Sequence, residues 1–168
     1  MRVTLTDEAK RYARRFADVT GVTPVDLLVF PTGEARDRSS GGSRAGYDAA
    51  AGEHVGNDAS RATRLVVVVP AGRKGEAVGP DGAIVERAER LFDARIDLIE
   101  HAESPGEFVA NALAPAAVRD VTVSAMGVAF AEVLDADRGV AIGRDGTNIE
   151  VARRLASRHF DIDDVQLA

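Results

Sequence analysis

A chain of 168 residues and 17.7 kDa, 45% of it hydrophobic, can form one medium domain or two small ones around a packed core. The absence of cysteine excludes disulfides and thiolate metal sites, and the longest apolar run, Leu65 to Pro70, is far short of the roughly 20 residues that span a bilayer. With 27 acidic residues against 21 basic ones and a net charge of -6, the chain lacks the basic excess usual in nucleic-acid binders.

In chain order, Thr6 to Val19 predicts an amphipathic helix, with Leu5, Ala9, Tyr12, Phe16 and Val19 at helical spacing. Thr6 is its expected N-cap and Gly21 its end. Val25 to Phe30 reads as a strand. From Thr32 to about Ala62 the sequence is dense in Gly, Ser, Ala and Asp, with almost no large apolar residues, which predicts a flexible insertion. Leu65 to Val69 reads as a strand buried on both faces. A short helical stretch at Gly75 to Gly79, a Gly-Pro-Asp-Gly break, a helix over Ala83 to Asp93 and a strand over Arg95 to Glu100 follow. Ser104-Pro105-Gly106-Glu107 opens another helix, which Pro115 stops. Strands at Ala117 to Ser124 and Val128 to Leu134, joined by a turn at Met126-Gly127, precede a short helix and a Gly-Arg-Asp-Gly break. A helix over Thr147 to Arg158 and a strand over Asp163 to Leu167 close the chain. The order helix, strand, strand, short helix, glycine loop, helix, strand thus occurs twice.

A shift of 64 residues superimposes Gly75–Leu91 on Gly139–Leu155 with about half the positions identical. Two copies are too few for a solenoid and fit two tandem copies of one small domain. The shared element is Gly-x-x-Gly between two helices: Val78, Gly79, Pro80, Asp81 and Gly82 in the first copy, Ile142, Gly143, Arg144, Asp145 and Gly146 in the second. Glycines leave room for a ligand, and the N–H groups at the start of the next helix, at Thr147 and Asn148 in the second copy, carry partial positive charge. That combination suits the phosphates of several consecutive nucleotides. The adjacent groove is expected to be floored by Val78 and Ile84 in one copy and by Ile142 and Ile149 in the other. Arg73 and Lys74 are the most basic spot of the first copy.

This pattern resembles a pair of type II KH domains, and in particular the NusA-like transcription factors of archaea. GVAIGRDGTNIEVARRLASRHFDIDDVQL resembles that family's second KH domain, SPGEFVANALAPAAVRDVTV its linking helix and strand, and MRVTLTDEAKRYARRFADVTGVTPVDLLV its N-terminal helix and strand. The resemblance implies an α+β fold of two tandem KH domains, residues 1–101 (with the insertion at about 32–62) and 102–168, each a three-stranded sheet with helices on one face. It implies single-stranded RNA as the partner and a role in transcription elongation or termination, with RNA polymerase or another transcription factor as a further partner. As in the archaeal members, the polymerase-binding and S1 domains of the bacterial factor are not expected here. Both loops depart from the family in carrying an acid. Arg144 offsets Asp145, but Pro80 leaves Asp81 uncompensated, so the second loop is expected to be the stronger RNA contact.

Lysine occurs only at Lys10 and Lys74, and scarce lysine with surplus acid resembles proteins of salt-loving microbes. On that reading the acidity reflects the solvent and not the partner. Neither the Gly-Lys-Ser/Thr of an NTPase loop nor the third glycine of a dinucleotide fingerprint is present, so no enzyme and no cofactor are expected. His54, His101 and His159 are too dispersed for a metal site, and Asp161, Asp163 and Asp164 lack the rest of a calcium loop. Phe92, Phe108, Phe130 and Phe160 are expected in the core. Arg153 and Arg154 belong either to the RNA site or to a solvated helix face. The first ten residues lack the apolar run of a secretory signal, so a cytoplasmic protein without membrane or metal is expected. Two other functions fit a KH pair: an RNA-binding role in ribosome assembly, or a protein-interaction module whose loops no longer hold RNA.

Overall fold

A computed structural model describes residues 3–31 and 63–168; the expected insertion at 32–62, with His54, lies outside the described residues. The elements are α1 (Asp7–Thr20), β1 (Asp26–Pro31), β2 (Thr63–Val69), α2 (Lys74–Val78), α3 (Ala83–Phe92) and β3 (Arg95–Glu100), then α4 (Pro105–Leu113), β4 (Val118–Val123), β5 (Val128–Val133), α5 (Arg138–Ile142), α6 (Thr147–Phe160) and β6 (Asp164–Leu167). The fold is α+β, with two three-stranded sheets ordered β1-β2-β3 and β4-β5-β6. In each, the first pair is antiparallel and the second parallel.

Local chemistry sets the ends of these elements. The Thr6 hydroxyl accepts from the Ala9 N–H, and Gly21 takes the left-handed conformation that closes α1. Ser104 caps α4 through the Glu107 N–H, ahead of Pro105 at the first helical position. α6 runs two residues beyond the expected Arg158, to Phe160, where Asp161 takes the left-handed cap.

The run Leu65–Val69 is fully buried, as an uninterrupted apolar strand requires. Leu65, Val67 and Val69 face a core formed with α1, α2 and α3, including Phe16, Ala77, Ala88 and Phe92. Val66 and Val68 face the opposite way, into a core shared with Phe108 and Leu113 of α4 and Ile149, Ala152 and Leu155 of α6. The first sheet is therefore covered on one face by its own helices and on the other by helices from the C-terminal half. The repeat is uneven for the same reason. Leu155 is buried in the shared core, whereas its counterpart Leu91 is 53% exposed. Phe130, expected inside, is 38% exposed, because Ala129, Ala131 and Val133 take the inward positions of β5 and alternation turns Phe130 outward.

Candidate nucleic-acid interface

The two loops share one backbone. Gly79 has φ 75° and ψ 176°, Asp81 φ 53° and ψ 26°, and Gly82 φ 75° and ψ 13°. Gly143, Asp145 and Gly146 repeat this at 75°/172°, 55°/26° and 72°/15°. Each turn is closed by the second glycine's N–H donating to the first glycine's carbonyl at 3.2 Å.

The first glycine of each loop is required by its neighbour. A Cβ on Gly79 would meet Ile84 Cγ1 at 2.5 Å, and one on Gly143 would meet the Asn148 Cβ at 2.6 Å and its backbone N at 2.8 Å. Asp81 and Asp145 hold left-handed angles, which Asp and Asn adopt more readily than other side-chain-bearing residues. The acid in each loop is thus explained by the turn itself. Gly82 and Gly146 head α3 and α6 without any side-chain cap; the Ala83 and Thr147 N–H groups turn back to the Pro80 and Arg144 carbonyls, so the N–H groups open to an external acceptor begin one residue further on, at Ile84 and Asn148.

The expected groove floor is corrected in part. Ile149 is 7% exposed and sits in the shared core. The 64-residue shift pairs Ile84 with Asn148 and Val85 with Ile149; the latter pair lies one helical position further on and turns inward. A groove of about 630 Å³ runs between the halves, from Lys74 and Val78 to Gly143, Arg144, Thr147 and Asn148. Val78, Val85, Leu98 and Val140 are among its apolar lining. The rest of the first loop, together with Arg73, Ile142, Asp145 and Gly146, lies outside that lining, although Ile142 is 40% exposed.

Charge in the groove is unevenly committed. Arg64 and Arg95 both pair with Asp97, and Arg64 also donates to the Asn148 side-chain oxygen at 3.4 Å. Lys74 and Arg144 form no ion pair with another described residue. Arg73 is held by Glu76 at 2.6 Å and by the Gly21 carbonyl. Arg153 is engaged by Asp164 and Glu150, and Arg154 lies 5.0 Å over the Phe30 ring. Sequence reading missed Arg64, Arg95 and Asp97. Their signal was the alternation Arg95-Ile96-Asp97-Leu98 along β3, which puts both charges on one face.

Comparison with known proteins bears on the family and the fold. A relative from Halococcus morrhuae, "Probable transcription termination protein NusA", is 46% identical over all of both chains. The chain belongs to the NusA family. A Halobacterium salinarum relative of the same description is 55% identical over 106 residues, 62% of this chain and 76% of its own. Residues 105–168 match the family described as NusA-like second KH domain. The crystal structure of APE1850 covers 98% of this chain and all of its own with a TM-score of 0.67 and 23% identity, a likeness of fold. These haloarchaeal NusA relatives accord with the scarce lysine and surplus acid. Among the described residues no helix is long and apolar enough to cross a membrane.

Proposed function

We propose that this NusA-family chain binds single-stranded RNA and acts in transcription elongation or termination, the latter the process its relatives are named for. The observation that carries the reading is the duplicated loop: two turns of the same backbone, each ending on an uncapped helix N-terminus. A phosphodiester backbone supplies the acceptors those N–H groups lack. The apolar groove between Lys74 and Arg144 would take bases splayed from that backbone.

Within this reading, Gly143, Arg144, Asp145 and Gly146, with Ile142, Thr147 and Asn148, form the stronger contact. Val78, Gly79, Pro80, Asp81 and Gly82 form the weaker one, assisted by Lys74. Arg73 contributes only if it leaves Glu76. The border between the KH domains is taken to follow His101. RNA polymerase or another transcription factor is a further partner.

The test is fluorescence anisotropy with short single-stranded RNAs in concentrated KCl, comparing wild type with Arg144→Asp. Loss of binding in a folded variant supports the reading. Binding untouched by the substitution removes the second loop from it, and a wild type that binds no RNA refutes it.

A further inference from the structure

Asp26 is the one buried charged residue among the described residues, and all of its charged partners lie more than 130 positions away. Its carboxylate accepts from Arg158 Nη2 at 2.7 Å and Nε at 2.9 Å, meets His159 Nε2 at 3.0 Å and accepts from the Leu27 N–H at 2.8 Å. Arg158 and His159 sit in the last turn of α6, the helix whose first turn completes the second loop.

The remaining contacts between α6 and the first sheet follow in order along the helix. Arg154 covers Phe30 of β1, and Asn148 accepts from Arg64, the residue paired with Phe30 on β2. Asp26, Leu28 and Phe30 are alternate residues of β1 on the face turned to α6, and Leu28 belongs to the shared core. α6 therefore lies antiparallel to β1, pinned near both ends and between them.

Apolar packing between a helix and a sheet is non-directional and tolerates sliding. A buried ion pair does not, since displacement leaves a charge unpaired, and fixing register is the best-attested use of such pairs. From this geometry we infer that the Asp26–Arg158–His159 contact is a register lock that sets the position of the second loop relative to the first. Asp26 and Arg158 are then positioning residues for an RNA that occupies both loops, a consequence that rests on the RNA-binding reading. The lock itself does not rest on it.

The absence of native cysteine allows spin labels at Glu86→Cys and Glu150→Cys, exposed sites just after each loop. Pulsed dipolar spectroscopy of the full chain should give one narrow distance distribution. The distribution should broaden or split in Asp26→Asn. It should do so too in Asp26→Leu combined with Arg158→Met, chosen because apolar replacement of a buried ion pair is often neutral or stabilising, with His159 losing its one bond to Asp26. The double variant keeps the test decisive if the single one unfolds. An unchanged distribution in the folded double variant overturns the lock, whatever RNA does.

The second measurement compares RNA of about four nucleotides, enough for one loop, with RNA about three times longer. The lock predicts that the double variant loses roughly tenfold or more of the longer RNA's advantage while the short RNA binds as before. Equal losses for both lengths, or none, would overturn the positioning role. Failure of wild type to bind either length would refute the RNA reading and leave the spin-label result standing.

Discussion

Gly143→Ala tests whether the loop glycines are fixed by the turn or only leave space for a ligand. At φ 75° and ψ 172° a side chain enters a region that is essentially glycine-only, at a cost of order 1–3 kcal/mol. The new Cβ would also stand 2.6 Å from the Asn148 Cβ and 2.8 Å from its backbone N. The backbone cannot step aside unless the first turn of α6 moves, which adds about 1–3 kcal/mol. Gly146→Ala is the control: its φ is also positive, but nothing lies within 4 Å of its Cβ, so only about 1 kcal/mol is lost. For a chain of this length each kcal/mol shifts Tm by about 2–4 °C. Taking the midpoint of those costs, about 4 kcal/mol, far-UV circular dichroism melts in concentrated KCl should place Gly143→Ala about 8–16 °C below wild type and Gly146→Ala about 2–4 °C below. Equal shifts, or a Gly143→Ala protein as stable as wild type, would refute the reasoning.

Asp145→Asn keeps a residue suited to left-handed angles and removes the charge beside Arg144, so anisotropy should show tighter RNA binding with stability changed by less than about 0.5 kcal/mol. Two groups in the contact between the halves make stability depend on pH. Burial, and then the neighbouring His159, hold His101 below its ordinary value of 6.5. The unfolded chain therefore takes up that proton first, and stability falls as pH drops from about 6.5 towards the folded value. Denaturant titrations of His101→Phe should show a flatter dependence there. Burial pushes Asp26 upward, but the bonds from His159, Arg158 and Leu27 outweigh it and hold the carboxyl below 3.8. Its contribution is present above pH 3.8 and lost as pH falls through the lower folded value. Asp26→Ala should thus cost about 3–5 kcal/mol near neutrality, by leaving Arg158 unpaired, and weaken the acid transition. Of the cations lining the groove, Lys74 and Arg144 are the two in no ion pair among the described residues, and if they alone meet phosphate the plot of log affinity against log salt should have a slope of about -1.4. A slope several times steeper would show that further cations engage RNA.

Elements built on local chemistry were legible in the sequence. Thr6, Gly21, Ser104 and Pro105 mark helix ends by interactions within a few residues, and the structure has them there. The uninterrupted Leu65–Val69 run announced burial on both faces, though not that the second cover comes from α4 and α6. The loop acids show in the sequence only as charge; the left-handed φ that Asp81 and Asp145 supply to the turn is invisible in composition. Ile149 was misplaced by one helical position, enough to turn a side chain from groove to core. The Asp26–Arg158 contact joins residues 132 positions apart and has no local pattern. It exists only once α6 is laid along β1.

The most direct test of the central claim is a titration of the nitrogen-15-labelled chain with short single-stranded RNA, following backbone amides by NMR. Uncapped helix N-termini that receive phosphate predict the largest shifts at Asn148 and Ile149, with smaller ones at Ile84 and Val85. Shifts confined to the outer face of β4-β5-β6, or none at either loop while RNA binds, would contradict it.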